Sequence, residues 1–225
     1  MFTAIKKFLI RPERNYSLKP LSLSNFLQLI LLQFAIIIIL FVLEALLFGI
    51  TPNRFGSNFE EVHRNIILFM ILGSIISPVL EEFLHRYYLN YRSRSLLISS
   101  FLLLLYIFEE YDALDPIQNI IHLSALLFLI VIIFLKIRFQ YINLQILVWG
   151  SIVIFGLFHL SNYERDVYMG NYLVIPVLIS PQIISGLFLA FIRINYGFMH
   201  GILFHGFFNF SLLSLGATVY QLSYP

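Results

Sequence analysis

Between about Asn25 and Gly49 the chain runs through leucine, isoleucine, phenylalanine, valine and alanine with a single charge, Glu44. A helix needs about 20 such residues to cross the hydrocarbon of a bilayer. Comparable stretches recur at roughly 65–90, 96–108, 120–135, 146–162, 172–192 and 197–216. No soluble arrangement hides all of them. The chain is 60% apolar and 12% charged, against about half and about a quarter in soluble domains, and a domain of this size has too little interior to bury the difference. The expected fold is therefore all-α: a polytopic transmembrane helix bundle of about seven spans. The first run is too long for a signal-peptide core and no small-x-small cleavage site follows it, so it reads as an uncleaved span. The third run is short. If it is re-entrant or buried among its neighbours, five or six spans remain. Pro78, Pro176 and Pro181 interrupt spans, which is tolerated where neighbours satisfy the freed backbone groups.

Charge placement orients the bundle. With the N-terminus in the cytoplasm, the inner segments carry Lys6, Lys7, Arg11, Arg14, Lys19, Arg86, Arg92, Arg94, Lys136, Arg138 and Arg193, and the outer ones only Arg54, Arg64 and Arg165. Glu109, Glu110, Asp112 and Asp115 fill one outer loop. This distribution obeys the positive-inside rule. The chain divides into three parts: a basic, surface-lying leader over 1–20, a first transmembrane helix with its outer loop over 21–64, and a helical core over 65–216. The absence of cysteine excludes disulfides, thiolate nucleophiles and Cys-ligated zinc. A net charge of +2 gives no basis for a nucleic-acid partner.

Charge inside hydrocarbon costs roughly 2.5–3.5 kcal/mol on insertion scales, so each intramembrane ionisable residue needs a reason. The second run contains Ser77-Pro78-Val79-Leu80-Glu81-Glu82-Phe83-Leu84-His85-Arg86. Glu82 and Arg86 are four apart, share a helix face and can pair. Glu81 lies about 100° around the helix and is free to point at other helices, with His85 as its own neighbour four residues on. A desolvated carboxylate aimed into a pocket has the character of a general base; the structural alternative is a polar seam around Arg86.

Two further patterns accompany it. Phe155-x-x-x-His159 closes the fifth run, and the same spacing at Phe59 and His63 falls in a loop. The last run holds His205-x-x-x-Asn209, two polar side chains on one face, with His200 roughly 140° away and Gly201 and Gly206 leaving room for a neighbouring backbone. Alone, His159 reads as a histidine at the outer membrane interface, and the structural alternative for His205 with Asn209 is a hydrogen-bonded packing seam. Glu44, near the outer end of the first run, reads as a carboxylate that snorkels to water. His122 reads as the start of a helix at the outer interface, and Glu60, Glu61 and His63 as loop residues.

The ordered trio Glu81-Glu82-x-x-x-Arg86, Phe155-x-x-x-His159 and His205-x-x-x-Asn209, each in a separate apolar run, resembles the CPBP family, the CAAX-protease and bacteriocin-processing (Abi) membrane proteins. The likeness covers about residues 65–216 and is helped by Ser185-Gly186-Leu187-Phe188 through Tyr196-Gly197. It implies an intramembrane endopeptidase. Glu81 would activate a water with the help of His159, His205 and Asn209 would stabilise the oxyanion, and Glu82 with Arg86 would orient the helix. It also leaves open one divalent metal, zinc first, held by Glu81, His159 and His205, against a metal-free glutamate mechanism. Tyr87 stands where many members have glycine, and His85 adds an imidazole that competes for Glu81. The implied partners are membrane lipid and a peptide or membrane-protein substrate, lipidated or not. In a bacterium the location would be the cytoplasmic membrane. There is no HExxH and no GxSG-like serine motif, and Tyr111-Asp112 lies in a polar loop. Two other classes remain: a non-catalytic immunity or scaffold protein that keeps the motifs for packing, and an ion-coupled transporter with Glu81, His159 and His205 as a relay.

Overall fold

A computed structural model of the chain describes residues 2–13, 18, 20–48, 65–110, 115–140, 142–163, 165–169 and 172–223. Arg14, Lys19, Arg54, Phe59, Glu60, Glu61, His63, Arg64, Tyr111 and Asp112 lie outside them. The helices are α1 (Phe2–Ile10), α2 (Leu23–Phe48), α3 (Ile66–His85), α4 (Ser93–Glu110), α5 (Pro116–Phe139), α6 (Leu144–Phe158), α7 (Arg165–Met169), α8 (Ile175–Leu178), α9 (Ser180–Asn195) and α10 (Phe198–Ser223). No strand occurs among the described residues.

Five of these helices are long and apolar enough to cross a membrane, and a sixth span results if Tyr172–Leu178 and Ser180–Asn195, bent by 41°, count as one. The bend falls where Pro181 lacks an N–H and its ring would collide with the carbonyl four residues before it. The fold is thus an all-α, multi-pass membrane bundle. Its outer surface agrees, since Leu31, Leu46, Phe101, Leu127, Phe134 and Ile137 are all exposed, a belt that water would not tolerate.

Some boundaries move. The short third run grows into α4, whose 18 residues reach about 27 Å; Ser93, Arg94, Glu109 and Glu110 extend the helix past its apolar middle. The second span stops at His85 rather than near residue 90. The backbone tightens into a 3₁₀ turn over Tyr87–Asn90 and reverses at Tyr91, whose φ is 67°. Arg193 of α9 closes that end, with Nε donating to the Arg86 carbonyl at 3.2 Å and Nη2 to that of Tyr87 at 3.3 Å. Such bonds satisfy carbonyls that a helix end leaves orphaned. Arg86, expected to pair with Glu82, and Arg193, counted among the inner charges, are both buried.

The leader is partly a docked helix. Ile5 and Phe8, three apart on one face of α1, are buried, with Phe8 edge-on to Phe191 at 5.4 Å. At the centre sits α9, packed on α6, α10 and α2. From Gly186 to Ile194 every residue is buried, as expected of a helix apolar on all sides.

The seam between α3 and α10 sets how the polar side chains of these two helices meet. Pro78 has no N–H to give the Ser74 carbonyl, and around that point α3 widens into a π turn over Leu72–Ile76. Two loosened carbonyls then face α10. Asn209 Nδ2 donates to the Gly73 carbonyl at 3.0 Å. The Ser74 carbonyl meets Gly206 so closely that a Cβ there would stand 2.5 Å from it. Gly206→Ala must push two backbones apart, and is expected to cost about 1–3 kcal/mol, read as a lowered unfolding midpoint in detergent. Unchanged stability would show that the seam is looser than this contact implies.

Candidate active site

A buried ion pair lies at the C-terminal end of α3. Arg86 Nη1 bonds Glu82 Oε1 at 2.7 Å, and both side chains are 0% exposed. The spacing of four residues puts them on one helix face, as expected. Phe155 of α6 lies beneath the guanidinium, 4.0 Å from its ring centre. Gly201 of α10 leaves the space that the Glu82 carboxylate fills, since a Cβ there would come within 3.1 Å of Oε2. The same Glu82 Oε1 meets His205 Nδ1 at 3.2 Å. A carboxylate held by arginine accepts only, so Nδ1 of His205 carries a proton, and in the neutral ring Nε2 points away with its lone pair.

His159 is oriented likewise. Its Nδ1 lies 2.8 Å from the carbonyl of Phe155, which accepts only, so here too Nδ1 is the protonated nitrogen of the neutral ring. Both Nε2 atoms aim at one oxygen, Glu81 Oε2, at 3.6 Å from His159 and 3.5 Å from His205. Those separations are too long for direct hydrogen bonds. Among the described residues Oε2 has no partner, while Oε1 accepts from Ser77 Oγ one turn earlier on α3. Three lone-pair acceptors thus face each other across a small gap. Such a gap calls for a donor or a cation.

His159, which the span boundaries placed further out than Glu81 and His205, lies 3.6 Å from Glu81 and lines the same cavity as His205. Ser151 Oγ of α6 bonds the His85 carbonyl at 2.6 Å, so residues 85 and 151 lie level and the two helices run antiparallel. Side chains tilt toward their own helix N-terminus. Glu81 therefore leans one way along the bundle and His159 leans back to meet it.

Asn209 shares the wall but spends one amide hydrogen on Gly73. His85 turns from Glu81 and packs edge-on against Phe155 and Phe158, at 5.5 and 4.8 Å. His200 lines a separate apolar groove with Phe26 and Val79. Glu44 corrects the snorkelling expectation: it is 2% exposed, with neither oxygen partnered among the described residues. His122 lies inside α5, which starts at Pro116, and is buried beside Gln118, whose Nε2 is 3.3 Å from its own.

Glu81 and His159 separate two cavities. One, about 380 Å³, also holds His205, Asn209, Gln33, Gln182 and Ser185. The other, about 480 Å³, has apolar walls that include Leu72, Ile76, Leu80, Leu102 and Leu105. The Glu81 and His159 side chains keep 20% and 21% exposure, while Glu81 Oε2 itself is covered. Among the described residues no three His, Asp or Glu side chains are gathered tightly enough to hold a metal ion. The donor set of one carboxylate and two imidazoles nevertheless suits zinc in kind.

Sequence reasoning missed Ser77 as a partner of Glu81, although its spacing four residues earlier was visible. It also missed Gln33, a carboxamide in the middle of the longest apolar run, whose signal was its presence there at all. No family model, no curated protein and no solved structure matches the chain.

Proposed function

We propose that the chain is an intramembrane peptidase in which Glu81 activates a water molecule. The reading is carried by the convergence of Glu81 Oε2 and two imidazole Nε2 atoms, all acceptors while both rings are neutral, on one point. A water there gives one hydrogen to Glu81 and the other to His159, leaving its lone pair free. The water oxygen adds to a peptide carbonyl carbon and its proton passes to Glu81. The oxyanion is received by the second hydrogen of Asn209 Nδ2, and by His205 when that ring is imidazolium. Glu81 then returns the proton to the departing nitrogen as the C–N bond breaks. Donors aimed at developing charge, with a base in reach, are what amide hydrolysis requires. Glu82 and Arg86 act behind this shell by fixing the His205 ring. The likeness to CPBP proteins supports the same assignment. Hydrolysis of peptides by the reconstituted chain, lost in Glu81→Gln, tests it.

The same convergence favours a second reading, in which Glu81, His159 and His205 hold a zinc ion that polarises the water. That requires the three side chains to close on a common point. On the water reading, activity survives exhaustive chelation and purified protein carries substoichiometric metal. Chelator-sensitive activity restored by zinc would transfer the role to the ion. For the topology, we read α4 as a seventh crossing with the N-terminus cytoplasmic: its length and the inner bias of Lys and Arg support this.

A further inference from the structure

Gln33 sits in the middle of α2, far in sequence from every motif residue, and is 1% exposed. Its Nε2 donates to Ser185 Oγ of α9 at 3.1 Å. With that bond made, Oε1 is without a hydrogen-bond partner among the described residues. One turn before Ser185, Gln182 has its Oε1 likewise unpartnered. Both glutamines line the cavity that contains Glu81, His159, His205 and Asn209.

A buried acceptor left unpaired costs about 1–3 kcal/mol. Nothing in packing requires two of them on one wall, since leucine or methionine would fill the same space. Lipid tails offer no hydrogens to donate. An extended peptide offers a main-chain N–H at every second residue along one edge, and such bonds supply affinity independent of side-chain sequence.

We propose that Gln33 and Gln182 form an acceptor wall that binds the main-chain N–H groups of an extended peptide lying across Glu81. The proposal rests on the peptidase reading and assigns its substrate-binding side. It brings α2, which lies outside the CPBP-like stretch, into the site. It also gives the site a preference for unfolded or extended segments, because a helical segment has already spent its N–H groups.

The test separates binding from turnover. The full chain carrying Glu81→Gln is placed in lipid nanodiscs and offered fluorescein-labelled decapeptides with randomised apolar side chains. A matched set has N-methylated main-chain nitrogens. Retention should favour the free-amide set, and adding Gln33→Met should weaken it about tenfold. Gln182→Met provides an independent variant should the first fail to fold. Equal retention of both peptide sets, retention indifferent to either glutamine, or no retention at all would overturn the proposal. If retention depends on Gln33 but the unsubstituted chain cleaves nothing, the acceptor wall stands and the hydrolase reading falls. If cleavage proceeds and retention ignores both glutamines, the reverse holds.

Discussion

Glu81→Gln is expected to lower peptide hydrolysis by at least about a hundredfold, within the range of a lost general base, while the protein stays folded and inserted. The carboxamide is nearly isosteric. It can keep an oxygen on Ser77 Oγ, so the local packing survives. It cannot take up a proton from water, and its N–H₂ turns the set of acceptors facing His159 and His205 into a donor–acceptor set that is satisfied without a water. The substitution should therefore leave stability unchanged or slightly raised while activity disappears. Turnover measured beside an unfolding midpoint decides the matter. Retained activity would remove Glu81 from the chemistry and favour the scaffold class. A flux that follows the pH gradient would favour transport.

The largest effect on stability belongs to Arg86. In Arg86→Met the Glu82 carboxylate, 0% exposed, loses its paired guanidinium and keeps the His205 ring at 3.2 Å. Breaking a buried pair from one side costs about 3–5 kcal/mol, because the remaining charge is stranded. Removing both partners together, as Glu82→Leu with Arg86→Met, should recover most of that loss and return a folded protein. The recovered protein should still be impaired, since His205 no longer has Glu82 to hold its Nδ1. A double-mutant cycle on unfolding midpoints measures the coupling. Additive losses would show that the pair is not acting as a unit.

Much of this site is legible in the sequence alone. The spacing of Glu82 and Arg86 predicts their pairing, and that of His205 and Asn209 their shared wall, because four residues is close to one helical turn. What spacing does not reveal is where α3 departs from α geometry. The π turn at Leu72–Ile76 opens a carbonyl for Asn209, so a residue read as an oxyanion donor also fastens two helices. The span boundaries set His159 further out than Glu81, and side-chain tilt between antiparallel helices closes the gap that residue counts leave open. Glu44 was read from its place in the first run, yet it is buried. Gln33 carried no motif, and its meaning came only from the opposite wall.

The meeting of Gly206 and Asn209 with two backbone carbonyls of α3 indexes one helix against the other. Were α10 to slip by a turn, Ile202 or Phe210 would replace Gly206 against an oxygen that tolerates nothing larger than hydrogen, and Asn209 would lose its anchor. The height of the His205 imidazole is thus gauged by a notch at the very next residue, and the site inherits its vertical alignment from that notch rather than from the lipid.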